Sequence, residues 1–217
     1  MKHTSENKTL IPGIVEAIRD LVFHGQLREG EVIHQTDLAQ RLGVSSVPLR
    51  EALRCLEAEG LVTFLPYRGT IVKPVTAAEI QELHVAALAL EVALLGQAVP
   101  RYTERDLQAL QDACDALAAP EARPDQVIAW YRTLLRPAGM PMILQLVEGL
   151  VWRSVRFFAP LQEIRQQRRE IRPTREDVVA ACRGGDAALA QRTLTDFLNH
   201  HQEALMEAFA QREQAVS

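Results

Sequence analysis

Residues 36–60 read TDLAQRLGVSSVPLREALRCLEAEG, the pattern of two short helices joined by a tight turn. Leu38, Ala39 and Leu42 share one face of the first helix. Gly43 supplies the left-handed backbone that ends a helix. Ser45 offers a hydroxyl to cap the next helix. Pro48 falls in that helix's first turn, where a missing N–H is tolerated. Leu49, Leu53 and Leu56 form the buried stripe of the second helix, and Arg50 and Arg54, one turn apart, point away from it. A helix with an apolar back and a basic front can pack on its own domain while its first turn enters a DNA major groove.

Working outward, Leu10 to His24 reads as a preceding helix, because Ile14, Ala17, Ile18, Leu21 and Val22 recur at helical spacing. Residues 1–8 are polar and expected to be a disordered tail. QLREGEVIHQ reads as a turn-rich link. Beyond Gly60, Leu61–Phe64 and Thr70–Lys73 read as two strands joined by PYRG, a small β-hairpin wing with Arg68 and Gly69 at its tip. An Arg there reaches a minor groove or a phosphate. Thr36, at the start of the first helix, is placed to meet phosphate. This winged helix-turn-helix spans 9–75.

Thr76-Ala-Ala-Glu79 reads as a capping box opening a second domain. From there to residue 213 every periodic segment is helical. The breaks fall at APEARP, RPAGMP and Gly184-Gly185, and a basic stretch, EIRQQRREIRP, precedes Pro173. Six or seven helices make one all-α bundle, so the fold is mostly α.

The net charge of −4 argues against a uniformly basic nucleic-acid binder. Residues 1–75 hold nine basic and nine acidic residues, and 76–217 hold 15 and 19. DNA contact therefore needs cations gathered on one face, which helical spacing provides for Arg50 and Arg54. Cys55, Cys114 and Cys182 form no CxxC pair and read as buried small apolar residues. The start MKHTSENKT is no signal peptide and no apolar run looks long enough to span a bilayer, so a cytoplasmic protein is expected.

GVSSVPLREALRCLEAEGLV, continued into PYRGTIVKPV, resembles the GntR family of bacterial regulators, whose pattern is GVSRTPVREAL followed by L-x-x-EGLV. The resemblance runs from about Leu10 to Val75 and implies a DNA-binding winged helix. Ser46 stands where the family usually has Arg, and Val47 where it has Thr. Arg50 is the expected base reader, bidentate to guanine. Ser45, Ser46 and Val47 sit where hydroxyls meet phosphate or base edges and a methyl meets thymine.

WYRTLLRPAGMP and VVAACRGGDAALAQRTL resemble the FCD domain of the FadR-type branch, over about 76–210. That domain encloses an effector pocket, often with a divalent metal held by an Asp and three His. Carried over singly, those ligands fall on Val127, Tyr131, Arg175 and Phe197, and an Arg that contacts a ligand carboxylate falls on Ala87. Such a set implies no metal cofactor. Two readings of Arg175 stand: a cation offered to an anionic ligand in place of the metal, or a surface Arg on an amphipathic first turn. His200 and His201, three and four residues past Phe197, stand either for a shifted metal site, with His84, or for a solvated pair. Tyr131, Arg175, Trp130, Phe197, Arg153 and Arg156 are the candidate effector residues, among aromatics (Trp152, Phe157, Phe158) expected in the core.

The expected function is a homodimeric transcriptional regulator, by default a repressor. It binds double-stranded operator DNA under control of a small effector, an organic acid or an apolar metabolite. The alternatives are an enzyme of the helical bundle, for which no GxSxG, HExxH, P-loop or paired Glu-x-x-His motif is present, and a protein-interaction adaptor, which leaves Arg50 and Arg68 unexplained.

Overall fold

The computed structural model describes residues 3–118, 123–154 and 173–216. The chain divides into two compact units, Met1–Val75 and Thr76–Ser217.

The first unit contains α1 (His3–Phe23), β1 (Val32–Ile33), α2 (Gln35–Leu42), α3 (Ser46–Ala58), β2 (Val62–Leu65) and β3 (Gly69–Val72). Ile14, Val15, Ile18 and Val22 of α1 meet Leu49, Ala52, Leu53 and Leu56 of α3 in one core, closed by Leu38, Val62 and Val72. Arg19, itself buried, binds Glu16 at 2.5 Å and Glu59 at 2.6 Å, tying α1 to the end of α3. Gly43 ends α2 at φ 67°, so that Val44 N–H turns back to the Ala39 carbonyl.

Four expectations need correction in this unit. Residues 3–8, expected within a disordered tail, belong to α1, which begins at His3; Glu6 and Lys8 are good helix formers. The link before α2 contains a third strand, β1. It pairs antiparallel with β3 through Val32–Ile71 and Ile33–Thr70, giving the order β1-β3-β2; two residues are too few to show alternation. Ser45 occupies the N-cap of α3 but its hydroxyl makes no capping bond. The third helical residue is Pro48, which has no N–H to offer. Cys55 is exposed, because it precedes Leu56 by one residue and so lies about 100° off the buried stripe.

The second unit contains α4 (Ala77–Ala98), α5 (Glu104–Ala118), α6 (Pro124–Leu135), α7 (Pro141–Ser154), α8 (Arg175–Arg183) and α9 (Ala187–Val216), with 3-10 turns at Val99–Arg101 and Arg136–Ala138. The stretch EIRQQRREIRP lies outside the described residues up to Arg172. Three starts are fixed by short polar caps. Thr76 Oγ1 accepts from Glu79 N–H at 3.1 Å, Thr174 and Asp177 cap each other, and Asp186 accepts from Leu189 N–H at 3.0 Å. α4 packs on α9, α7 and α6, and α5 packs on α6 and α8. With the 3-10 turn that follows it, α4 is long and apolar enough to cross a membrane by length and composition, which corrects the expectation that no such run exists. Its buried residues are Ile80, Glu91, Leu94, Leu95 and Ala98. On α9 the inward stripe is Ala190, Leu194, Phe197, His201 and Ala204, spaced four, three, four and three.

Candidate nucleic-acid interface and ligand site

On the winged unit the expected contact residues are all exposed: Thr36 on α2, Ser45, Ser46, Val47, Arg50 and Arg54 at and along α3, and Arg68 and Gly69 in the wing. The core stripe of α3 fixes this, because burying Leu49, Leu53 and Leu56 turns positions 46, 47, 50 and 54 outward. Arg54 pairs with Glu51 at 3.1 Å. Arg50 Nε donates to Gln35 Oε1 at 3.4 Å, and Gln35 Nε2 donates to Thr70 Oγ1 at 3.1 Å. Arg50 is thus linked through Gln35 of α2 to the wing strand β3.

At the wing tip Tyr67 has φ 64°, in the left-handed region where only glycine is free of strain, and its side chain is fully exposed. Sequence reading missed both Gln35 and Tyr67. The signal for Tyr67 was its place in PYRG, where a turn needs a positive φ.

In the bundle, Val127, Trp130, Tyr131, Arg175 and Phe197 are all buried. Arg175 is 7% exposed, which removes the surface-arginine reading. Its Cζ lies 5.5 Å from the ring centroids of both Trp130 and Phe197. Trp130 meets Tyr131 edge-on at 4.8 Å and Phe197 at 6.0 Å. Burial pushes the Tyr131 hydroxyl well above the usual phenol range, with nearby Glu91 raising it and Arg175 lowering it. These four side chains therefore gather in one interior site. Arg153 lies apart as an exposed residue of α7, and Trp152 is half-buried. Arg156, Phe157 and Phe158 lie outside the described residues.

The donor set at this place does not suit a divalent metal. Val127 and Phe197 carry no donor, Tyr131 is held protonated, and a guanidinium occupies the fourth position. His200 and His201 turn their Nδ1 atoms to the Asp196 and Phe197 carbonyls, each at 2.7 Å, and the His201 ring lies 4.0 Å from Phe197. His84 interacts with Asn199 and Glu203 instead, and its imidazole is shifted down, chiefly by burial. Among the described residues no three His, Cys, Asp or Glu side chains converge as a metal site.

Glu91 was overlooked in the sequence. It is 2% exposed on α4, and burial pushes its carboxyl up to about 8. The signal was present: a single acid inside the apolar run VAALALEVALL.

The model of the "Bacterial regulatory proteins, gntR family" matches residues 10–72, and that of the FCD domain matches residues 82–200. The HTH-type transcriptional regulator YcbG of Bacillus subtilis (strain 168) is 31% identical over 163 residues, covering 68% of this chain and 70% of YcbG. The HTH-type transcriptional regulator YdhC of the same organism is 31% identical over 94 residues, covering 43% of this chain and 42% of YdhC. The match to YdhC thus spans less than half of that relative's length. The solved structure of McbR/YncC from E. coli superposes with a TM-score of 0.74 at 20% identity, covering 92% of this chain and 98% of that one, a likeness of fold. A winged helix with an outward-facing α3, a helical bundle after it and the two family models over residues 10–72 and 82–200 lead to one conclusion: the chain belongs to the GntR family of bacterial regulatory proteins, with an FCD domain as its second unit.

Proposed function

We propose that the chain is a sequence-specific DNA-binding transcriptional regulator whose operator binding is set by a small molecule held in the FCD bundle. The observation that carries this is the exposed row Ser46, Val47, Arg50 and Arg54 on a recognition helix whose opposite face is wholly buried. Arg50 reads a guanine edge, and Thr36, Ser45 and Arg68 hold phosphates. The open Ser45 hydroxyl and the first N–H groups of α3 favour a phosphate there.

Two copies bind a near-palindromic operator, because protein symmetry is mirrored in the DNA. Exposed apolar side chains on the bundle, Val85 on α4 and Met142 and Leu146 on α7, support a contact between copies. The protein acts in the cytoplasm, as a repressor relieved by its effector rather than as an enzyme. The site holds no metal. Arg175 takes that role for an anionic group of the ligand, beside Tyr131, Trp130 and Phe197.

The test is operator selection from random duplexes, followed by a salt titration. Binding should weaken steeply with salt, and Arg50→Ala should cost about 1–3 kcal/mol and relax preference at one guanine. Ser46 replaces an arginine of the common pattern, so the selected site should differ from the family's usual one by a lost guanine. Salt-independent binding, or selection of the common site at full affinity, contradicts this reading.

A further inference from the structure

Gln35 opens α2, half-buried, and its amide bonds to two other side chains. Its Oε1 accepts from Arg50 Nε at 3.4 Å, and its Nε2 donates to Thr70 Oγ1 at 3.1 Å. Chemistry sets the orientation of that amide. A guanidinium only donates, so the amide oxygen must face Arg50. The amide nitrogen then faces Thr70, whose hydroxyl can accept. Thr70 is a fixed anchor. It is 0% exposed, and it lies in the central strand β3, opposite Ile33 of β1 and Phe64 of β2. A buried side chain on a strand paired along both edges has little freedom to move. Arg50, by contrast, is exposed on α3, and an exposed arginine is among the side chains with most rotamer freedom. Ser46, one turn earlier on the same face, brings no second guanidinium.

We infer that Gln35 is a positioning residue that sets base specificity: anchored on Thr70, it holds the Arg50 guanidinium by its Nε edge and leaves the Nη1 and Nη2 donors for the two acceptors of one guanine. The inference rests on the proposed base readout by Arg50. The bond at Nε restricts the fork before DNA arrives, so less ordering is needed on binding. Orientation matters more than charge here. A loose guanidinium finds phosphates on any sequence, whereas two N–H groups aimed together match guanine O6 and N7. Loss of the anchor should therefore reduce discrimination between sequences and leave the general attraction to duplex DNA.

The experiment is fluorescence anisotropy with the full chain on three duplexes. They are the operator selected from random duplexes, the same operator with the guanine that Arg50→Ala ceases to prefer changed to adenine, and a mixed-sequence duplex. Each variant is checked for folding by circular dichroism. Gln35→Met has the length of glutamine without its polar atoms. It should weaken binding to the selected operator about three- to tenfold and leave the other two duplexes within about twofold. Thr70→Val keeps a buried β-branched shape and removes the anchor, so it should act in the same direction to a smaller extent. Gln35→Glu still accepts from Arg50 and can accept from the Thr70 hydroxyl. Its added charge should weaken all three duplexes alike and retain the preference for guanine. In an Arg50→Ala background, Gln35→Met should cause no further loss of preference. An undiminished guanine preference in Gln35→Met or in Thr70→Val overturns the inference, as does its loss in Gln35→Glu. A Gln35→Met loss that adds to that of Arg50→Ala also overturns it, by making Gln35 a DNA contact in its own right. In each of these cases a guanine preference that depends on Arg50 leaves the readout standing. A chain that selects no operator, or whose preference survives Arg50→Ala, removes the readout and the positioning role together.

Discussion

At Glu91 the carboxyl is driven by burial from an ordinary value of 4.5 to about 8. Between those values the folded chain holds a proton that the unfolded chain has released. The folded state binds more protons there, so stability falls as pH rises from about 4.5 to about 8. Glu91→Gln is neutral throughout and of similar shape, so it escapes that fall. We expect it to raise stability by roughly 2–4 kcal/mol at pH 8.5 relative to its effect at pH 5. Thermal unfolding followed by circular dichroism at the two pH values checks this; an equal effect at both would show that Glu91 is not held protonated. Arg175 shows the converse at the same scale. Its sequence context, the first turn of an amphipathic helix, could not separate a surface cation from an interior one. Only the packing of α8 on its neighbours places the guanidinium against Trp130 and Phe197.

Among the elements, α3 was legible because one short segment carries four mutually consistent signals: a leucine stripe, a glycine stop, a proline in the first turn and arginines off the stripe. β1 was not legible, since its two residues become a strand only by pairing with β3. The cap of α3 misled for a local reason, a proline where the capped N–H belongs. In the bundle, caps and glycines fixed where helices start and stop, but which side chains converge inside depends on contacts far apart in sequence, as between Glu91, Tyr131 and Arg175. The wing supplies a test at this scale. Tyr67 spends backbone strain of about 1–2 kcal/mol at φ 64° to project an exposed ring beside Arg68. Asparagine tolerates that backbone far better. Tyr67→Asn should therefore leave the melting temperature equal or higher while operator affinity drops about fivefold, near 1 kcal/mol. Unchanged affinity would show that the ring plays no part in binding DNA.

For the molecule as a whole, the charge is divided between the units: the winged unit is neutral in sum and exposes Arg50, Arg54 and Arg68, and the acidic excess lies in the bundle. The bundle's motifs resemble a domain that often holds a divalent metal, but at the matching positions this chain sets a guanidinium against Trp130 and Phe197. That contrast has a thermodynamic consequence. A ligand bound only by the folded state at a hundred times its dissociation constant adds about 2.7 kcal/mol of stability. In a unit of this size that is roughly 5–10 °C in melting temperature. A metal-loaded pocket would surrender this on chelation. The chain should instead melt within about 1 °C of the same temperature with and without excess EDTA, and added zinc, nickel or manganese should not raise it. Elemental analysis of protein purified without chelator should give far less than one equivalent of any of the three. A stoichiometric metal together with a chelator-dependent fall in melting temperature would mean that donors other than Val127, Tyr131, Arg175 and Phe197 converge in the folded bundle, with His84, His200 and His201 the first to replace.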